Sequence, residues 1–190
     1  MFKRLLLVLM LSTIAPLVAS AADDDYPKTI EVFRKAGESG AFFDSAYGYA
    51  VFPTIGKGGI GIGGAYGKGR VFEKGKYIGD CSMKQATIGF QFGGQAYSQI
   101  VFLQDARALK EFTGGNFEFG AEASAIAITA SADAKAGTSG ASAGASAGKH
   151  DAKTVGAYHK GMAVFTVAKG GLMYEATIGG QKFSYKPKAK

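Results

Sequence analysis

The sequence predicts an α+β fold that is mainly antiparallel β, a sandwich- or barrel-like sheet with two or three short packing helices. Segments with β-branched, aromatic or alternating side chains recur between glycine-rich breaks along most of the chain. Helical periodicity is confined to short segments that would not be stable without a larger partner. Because successive strand segments are joined by short links, we expect them to pair in the antiparallel direction.

The N-terminus predicts a secretory signal peptide covering residues 1–21. Lys3 and Arg4 precede the apolar run Leu5 to Leu11, and Ala19-Ser20-Ala21 is a small-residue cleavage site. An uncleaved membrane anchor is the alternative, but polar residues and a proline dilute the segment below what a spanning helix needs. We therefore expect an exported, periplasmic or otherwise extracytoplasmic protein that is cleaved after Ala21.

Two short helices are predicted, the first in an N-terminal helical segment at 22–45. It runs from Pro27 to Ala36, with Ile30 and Phe33 on one side. The second begins after Asp105, whose side chain is suited to cap a helix N-terminus. Its apolar face and its glycine terminator are formed by Ala106, Leu109, Phe112 and Gly114-Gly115.

The predicted strands fill most of the remaining chain, a β-rich domain at 46–187 that a short basic tail follows at 188–190. In the longest of them the alternation changes parity near Ile126 to Thr129, which predicts a bulge or a passage between sheets. The low-complexity segment 134–148 after it predicts a loop, and continued strand is the alternative. The strands are Val71–Phe72, Lys76–Ile78, Ala86–Phe92, Tyr97–Leu103, Phe117–Ala134, Ala163–Val167, Leu172–Ile178 and Lys182–Tyr185.

The glycine-rich stretch from Gly56 to Arg70 is the most unusual part of the chain. It satisfies G-x-G-x-x-G spacing twice, but more glycine follows where a dinucleotide site needs a helix. Period 2 instead predicts a strand with a side-chain-free face, which permits close approach of a helix, a second strand or an acyl chain. Structural packing and a ligand-facing groove both remain open. The predicted face consists of Gly59, Gly61 and Gly63, with Ile60 and Ile62 opposite.

Basic residues cluster around this stretch and recur near the C-terminus. Lysines at loop tips are commonly only solubilising, but these lie beside Tyr66, Phe72 and Tyr77, aromatic residues of the kind found at membrane interfaces. Such a rim could hold anionic lipid headgroups. The candidate headgroup-binding residues are Lys57, Lys68, Arg70, Lys74, Lys76, Lys169 and Lys182.

Composition argues against nucleic acid, catalysis and metal binding. The formal net charge of +7 falls to +5 without Lys3 and Arg4, which is a weak footprint for nucleic acid. His150, His159 and Cys81 have no metal-site spacing or nucleophile pattern, so we expect no enzyme, metal or cofactor. Cys81 is predicted to be a small packed side chain, and as the sole cysteine it excludes a lipoprotein anchor near the cleavage site.

Several ungapped motifs between Ala46 and Pro187 resemble the SYLF domain family. They are YGYAVFP at 47–53, IGKGG at 55–59, GGAYG at 63–67, TIG at 87–89, GGQAYS at 93–98, FEFG at 117–120, KGGL at 169–172 and GGQK at 179–182.

This resemblance implies a lipid-binding module without catalytic activity. Bacterial members of the family are single-domain envelope proteins, eukaryotic members bind phosphoinositides, and fungal members regulate actin. The sequence therefore predicts a non-enzymatic envelope protein that binds an anionic phospholipid membrane. A structural or interaction protein with an envelope protein partner is the alternative, and actin is not expected because an exported chain would not meet it.

Overall fold

The computed structural model describes residues 25–89, 94–120, 125–128, 158–169 and 178–189. The predicted signal peptide, the low-complexity segment and all of Leu172–Ile178 except its last residue lie outside these ranges. In the described part of the chain, no helix has the length and apolar character that crossing a bilayer requires. The elements are α1 (Asp25–Lys35), α2 (Gly37–Gly40), α3 (Phe42–Ser45), β1 (Gly48–Glu73), β2 (Lys76–Gly89), β3 (Gln95–Leu103), α4 (Ala106–Phe112), β4 (Phe117–Glu118), β5 (Ile126–Ile128), β6 (Met162–Lys169) and β7 (Lys182–Pro187).

The described strands form one curled sheet, a half-barrel, in the order β4-β7-β2-β1-β3-β6-β5. Neighbouring strands are antiparallel except for β5 and β6, which are parallel. Short helices pack against this sheet. The predicted fold class, mainly antiparallel β with short packing helices, is therefore confirmed.

Strand β1 folds back on itself within the glycine-rich stretch. Its first arm pairs with β3 through residues 48–57, and its second arm pairs with β2 through residues 61–73. At the end of the two arms away from the reversal, the Lys74 N–H donates to the Tyr47 carbonyl at 2.9 Å. At the reversal Gly59 has a φ of +149°, and a Cβ there would overlap the Cα of Gly63. The reversal therefore requires glycine.

This reversal corrects the predicted glycine face. Gly59 and Gly63 meet across the turn instead of lining one face of a straight strand. The predicted close approach of a second strand occurs further along, at the buried Gly67 and Gly69. A Cβ at Gly67 would lie 2.6 Å from Ile55, and one at Gly69 would lie 2.6 Å from the Phe52 ring.

The predicted strand Phe117–Ala134 is wrong as one continuous element. β4 pairs with β7 at one edge of the sheet, whereas β5 pairs with β6 at the opposite edge, so the two segments belong to different strands. Phe119 is buried after β4, with its ring 5.5 Å from that of Phe183. Its N–H donates to the Gln181 carbonyl at 3.0 Å, one residue beyond the pairing of β4 with β7. The predicted parity change beyond Ile128 lies outside the described residues.

Both predicted helices are confirmed as elements, but Ala106 is exposed, and the buried face of the second helix consists of Ala108, Leu109 and Phe112. α1 carries Phe33, which is fully buried, and Tyr26 against the sheet. α4 begins after Asp105, whose Oδ1 accepts a hydrogen bond from the Ala108 N–H at 2.8 Å. Each helix covers a different face of the sheet, because α1 to α3 pack in one hydrophobic cluster and α4 packs in another.

Strand β3 belongs to both clusters. Ile100 and Phe102 contact the helices α1 to α3, whereas Val101 and Leu103 face α4. Every residue from Tyr97 to Leu103 is consequently buried. The middle of the sheet is thus enclosed on both faces.

Candidate functional site

Helices α1 to α3 cover only part of their face of the sheet. They pack over the first arm of β1, β3 and β6. On the second arm of β1, β2 and β7, burial alternates: Cys81 and Met83 are buried towards α4, while Asp80 and Lys84 are exposed on the other side. We call this open surface the basic face; it comprises Tyr66, Lys68, Arg70, Asp80, Ser82, Lys84, Lys182, Ser184 and Lys186.

The strand register arranges these side chains in rows. Lys84 lies between Tyr66 and Lys182, and Ser82 lies between Lys68 and Ser184. Asp80 lies between Arg70 and Lys186. Because residues directly opposite each other are about 5 Å apart, the cations form a compact array.

Two carboxylates moderate the charge of this array. Asp80 Oδ1 lies 3.8 Å from Arg70 Nε, and Glu118 Oε2 lies 3.4 Å from Lys182 Nζ. The side chains of Asp80 and Glu118 are 61% and 48% exposed, so these pairs are weak and solvent-screened. Lys68, Lys84 and Lys186 are exposed. The face is therefore basic in balance.

Arg70 also holds α1 to the sheet. Its guanidinium carbon lies 4.4 Å from the centroid of the Tyr26 ring and 5.1 Å from that of Tyr77. Burial raises the pKa of Tyr26 to about 12, which the neighbouring Arg70 charge opposes only in part. Tyr26 is thus an uncharged phenol at neutral pH, and Arg70 is oriented by stacking as well as by charge.

A shallow groove of about 430 Å³ runs along the boundary between α1 and the basic face. Its walls combine apolar rings with the guanidinium groups of Arg34 and Arg70. Arg34 is itself stacked on Phe43, at 4.3 Å from the ring centroid. The residues lining the groove are Tyr26, Pro27, Ile30, Glu31, Arg34, Arg70 and Phe72.

The remaining predicted headgroup residues lie at the two ends of the sheet. Lys74 and Lys76 flank the β1–β2 turn, and Lys74 Nζ lies 5.0 Å from the Tyr47 ring centroid. Lys57 lies opposite Gln95 at the other end. There Lys169 donates from Nζ to Thr54 Oγ1 at 2.7 Å. The predicted set is therefore not one rim, since only Lys68, Arg70 and Lys182 share the basic face.

Sequence reasoning missed two cations of this face, Lys84 and Lys186. Lys84 lies between the predicted strands Lys76–Ile78 and Ala86–Phe92, which are one strand, β2. Lys186 lies one residue beyond the predicted strand Lys182–Tyr185, but it belongs to β7 and is paired with Asp80. In β2 and β7 the exposed residues alternate at even-numbered positions. Extending that alternation along the sequence would have identified Lys84 and Lys186.

Groups with catalytic chemistry do not converge in the described residues. Cys81 is buried in the core, as predicted, and burial raises the pKa of its thiol well above the usual value. His159 is exposed and forms a backbone bridge with Met162, while His150 lies outside the described residues. The described part of the chain brings together no group of three or more His, Cys, Asp or Glu side chains that could hold a metal ion.

A curled, mainly antiparallel sheet with one half of a face open and basic defines a β-rich binding domain. The family comparison agrees with that class: residues 84–189 match the Ysc84 model, described as Las17-binding protein actin regulator. Since this match covers more than half of the chain, the protein belongs to the Ysc84 (SYLF) family. The resemblance seen in the sequence motifs is thereby confirmed.

A curated relative is the Beta cell expansion factor A of Aeromonas veronii. It is 26% identical over 156 residues, which cover 81% of this chain and 51% of that protein. The chain thus spans about half the length of this relative.

Proposed function

We propose that this protein binds anionic phospholipid at a membrane surface of the cell envelope, through the basic face, without catalysing a reaction. The observation that carries the proposal is the half of the sheet that α1 to α3 leave open. It presents Lys68, Lys84 and Lys186 to solvent on neighbouring strands. Family membership supports a binding role of this kind.

Charge gives this surface its selectivity for anionic lipid. A Lys or Arg near an anionic membrane contributes about 1 kcal/mol, so a row of such residues on neighbouring strands acts together. Ser82 and Ser184 lie between the cations and offer hydroxyl donors to phosphate oxygens. Residues 1–21, with the features of a signal peptide, support delivery of the domain to the envelope.

Binding to another envelope protein is the second candidate. The family description, which names Las17 binding, supports a protein target. Such a partner would be recognised through the same open sheet face, but its binding would not depend on lipid. Actin is not proposed, because an exported chain would not meet it.

Flotation of the mature protein with phosphatidylglycerol vesicles and with neutral phosphatidylcholine vesicles tests the lipid proposal. Lys68→Ala combined with Lys84→Ala should weaken partitioning onto the anionic vesicles by about 25-fold, from about 1 kcal/mol per charge. The matched control is Arg107→Ala combined with Lys110→Ala, which removes the same charge from α4 on the opposite face. We expect that control to float like the unmodified protein.

Two results would oppose the proposal. Equal failure to float with anionic and neutral vesicles at low salt would remove lipid binding as the function. An equal loss for the α4 variant would show that net charge, and not the basic face, controls binding. Recovery of one stoichiometric partner from envelope extracts without lipid dependence would favour the second candidate.

A further inference from the structure

The reversal of β1 forms an apolar tip at one end of the basic face. Residues 58–67, GGIGIGGAYG, contain no charged side chain. Ile62 is 79% exposed and Tyr66 is 39% exposed, which makes Ile62 an unusually exposed large apolar side chain. We call residues 58–67 the glycine tip.

Ile62 and the cations lie on the same side of the sheet. The pairing between β1 and β2 continues without a register shift from Gly61 to Val71, so Ile62, Tyr66 and Lys68 share one face. Ala86, which is exposed, lies opposite Gly64 in this region. Along this face the surface therefore changes from apolar at Ile62 to cationic at Lys68 and Lys84.

The tip is also open around Gly58, which is exposed. A Cβ at Gly58 would have no heavy atom within 4 Å, so its surroundings are open. The backbone of the second arm stays paired with β2, since Gly61 and Ile62 lie opposite Gly89 and Ile88. A strand that is already paired can approach hydrocarbon without exposing unsatisfied backbone groups.

We propose that the glycine tip inserts into the outer apolar layer of an anionic bilayer, with Ile62 below the headgroups and Tyr66 at the interface. Lys68 and Lys84 then remain at the level of the lipid phosphates. The proposal rests on the proposed function, because the basic face brings the tip to the membrane. Insertion would bury the Ile62 side chain, which the fold leaves exposed. The Tyr66 ring, which is apolar with a hydroxyl group, suits the boundary between the apolar and aqueous layers.

The absence of tryptophan from the chain allows a direct test. Ile62→Trp places a single tryptophan at the tip. With phosphatidylglycerol vesicles its emission should shift to shorter wavelength, and lipids brominated on the acyl chain should quench it. The matched control is Ala106→Trp, at an exposed position of α4 on the opposite face, where neither change is expected.

An affinity measurement completes the test. Ile62→Ser should weaken partitioning onto anionic vesicles by at least about tenfold, because a serine side chain gains nothing from burial in the apolar layer. Its thermal midpoint should not change, because the side chain is exposed in the fold. Vesicles that float the Ile62→Trp variant without shifting its emission would overturn insertion and leave the proposed function intact. If the unmodified protein does not float, both insertion and the proposed function are wrong. An emission shift in the Ala106→Trp variant instead of the Ile62→Trp variant would contradict insertion through the glycine tip.

Discussion

Gln99 and Gln181 form a reciprocal amide pair inside the protein. Gln99 Nε2 donates to Gln181 Oε1 at 2.9 Å, and Gln181 Nε2 donates to Gln99 Oε1 at 3.1 Å. The second amide also lies 3.2 Å from the Tyr97 hydroxyl. Both glutamines are fully buried, so these bonds replace water for groups that would otherwise have no partner.

Replacing one glutamine should therefore cost more than replacing both. Gln181→Leu leaves the buried Gln99 amide unpaired and should lower the free energy of unfolding by about 2 kcal/mol. Gln99→Leu combined with Gln181→Leu removes both partners and should recover part of that loss. Urea unfolding of the three proteins measures the difference. A double variant that is no more stable than Gln181→Leu would contradict the pairing.

Whether a side-chain contact could be predicted from the sequence depended on how many residues separate its two partners. The cap formed by Asp105 was predicted because its acceptor and donor lie three residues apart. The Gln99–Gln181 pair spans 82 residues, and nothing in the local pattern connects them. For the same reason Arg70 was predicted as a surface cation, but its contact with the Tyr26 ring was not.

Among the elements, β1 depends on glycine where its two arms approach. A Cβ at Gly69 would lie 2.6 Å from the Phe52 ring and 2.7 Å from the Val51 carbonyl oxygen. Gly69→Ala should lower the free energy of unfolding by about 1–3 kcal/mol, because the facing arm has to move. Gly56→Ala is the matched control, since no heavy atom lies within 4 Å of its Cβ position. Chemical denaturation should show little change for the control, and equal losses for both would contradict the close approach.

Period 2 predicted strand character in the glycine-rich stretch, but it could not locate the reversal. Turns are normally recognised by glycine between stretches of larger residues. Here glycine occupies both the turn and the arms, so the turn has no contrast with its surroundings. The break between β4 and β5 was missed for a related reason. The alanine-rich segment after Phe119 continues the alternating pattern and contains no turn motif that would indicate the end of a strand.

For the whole molecule, the position of the helices determines which cations form a surface. Sequence identified Lys68, Arg70 and Lys182 as candidates, but the uncovered half of the sheet is a tertiary feature. The same arrangement encloses β3 on both faces. We therefore expect the layer formed by α1 to α3 and the layer formed by α4 to unfold together with the sheet.

Two core substitutions test this cooperativity. Phe33 is 0% exposed under α1 and Phe112 is 1% exposed under α4, so each change to alanine should cost about 3–5 kcal/mol. Because both rings pack on a sheet that shares β3, each variant should show one transition at a lower urea concentration. Far-UV circular dichroism and tyrosine fluorescence should coincide in both. Separate transitions in Phe33→Ala alone would mean that α1 to α3 detach first, and the basic face would then have no fixed boundary.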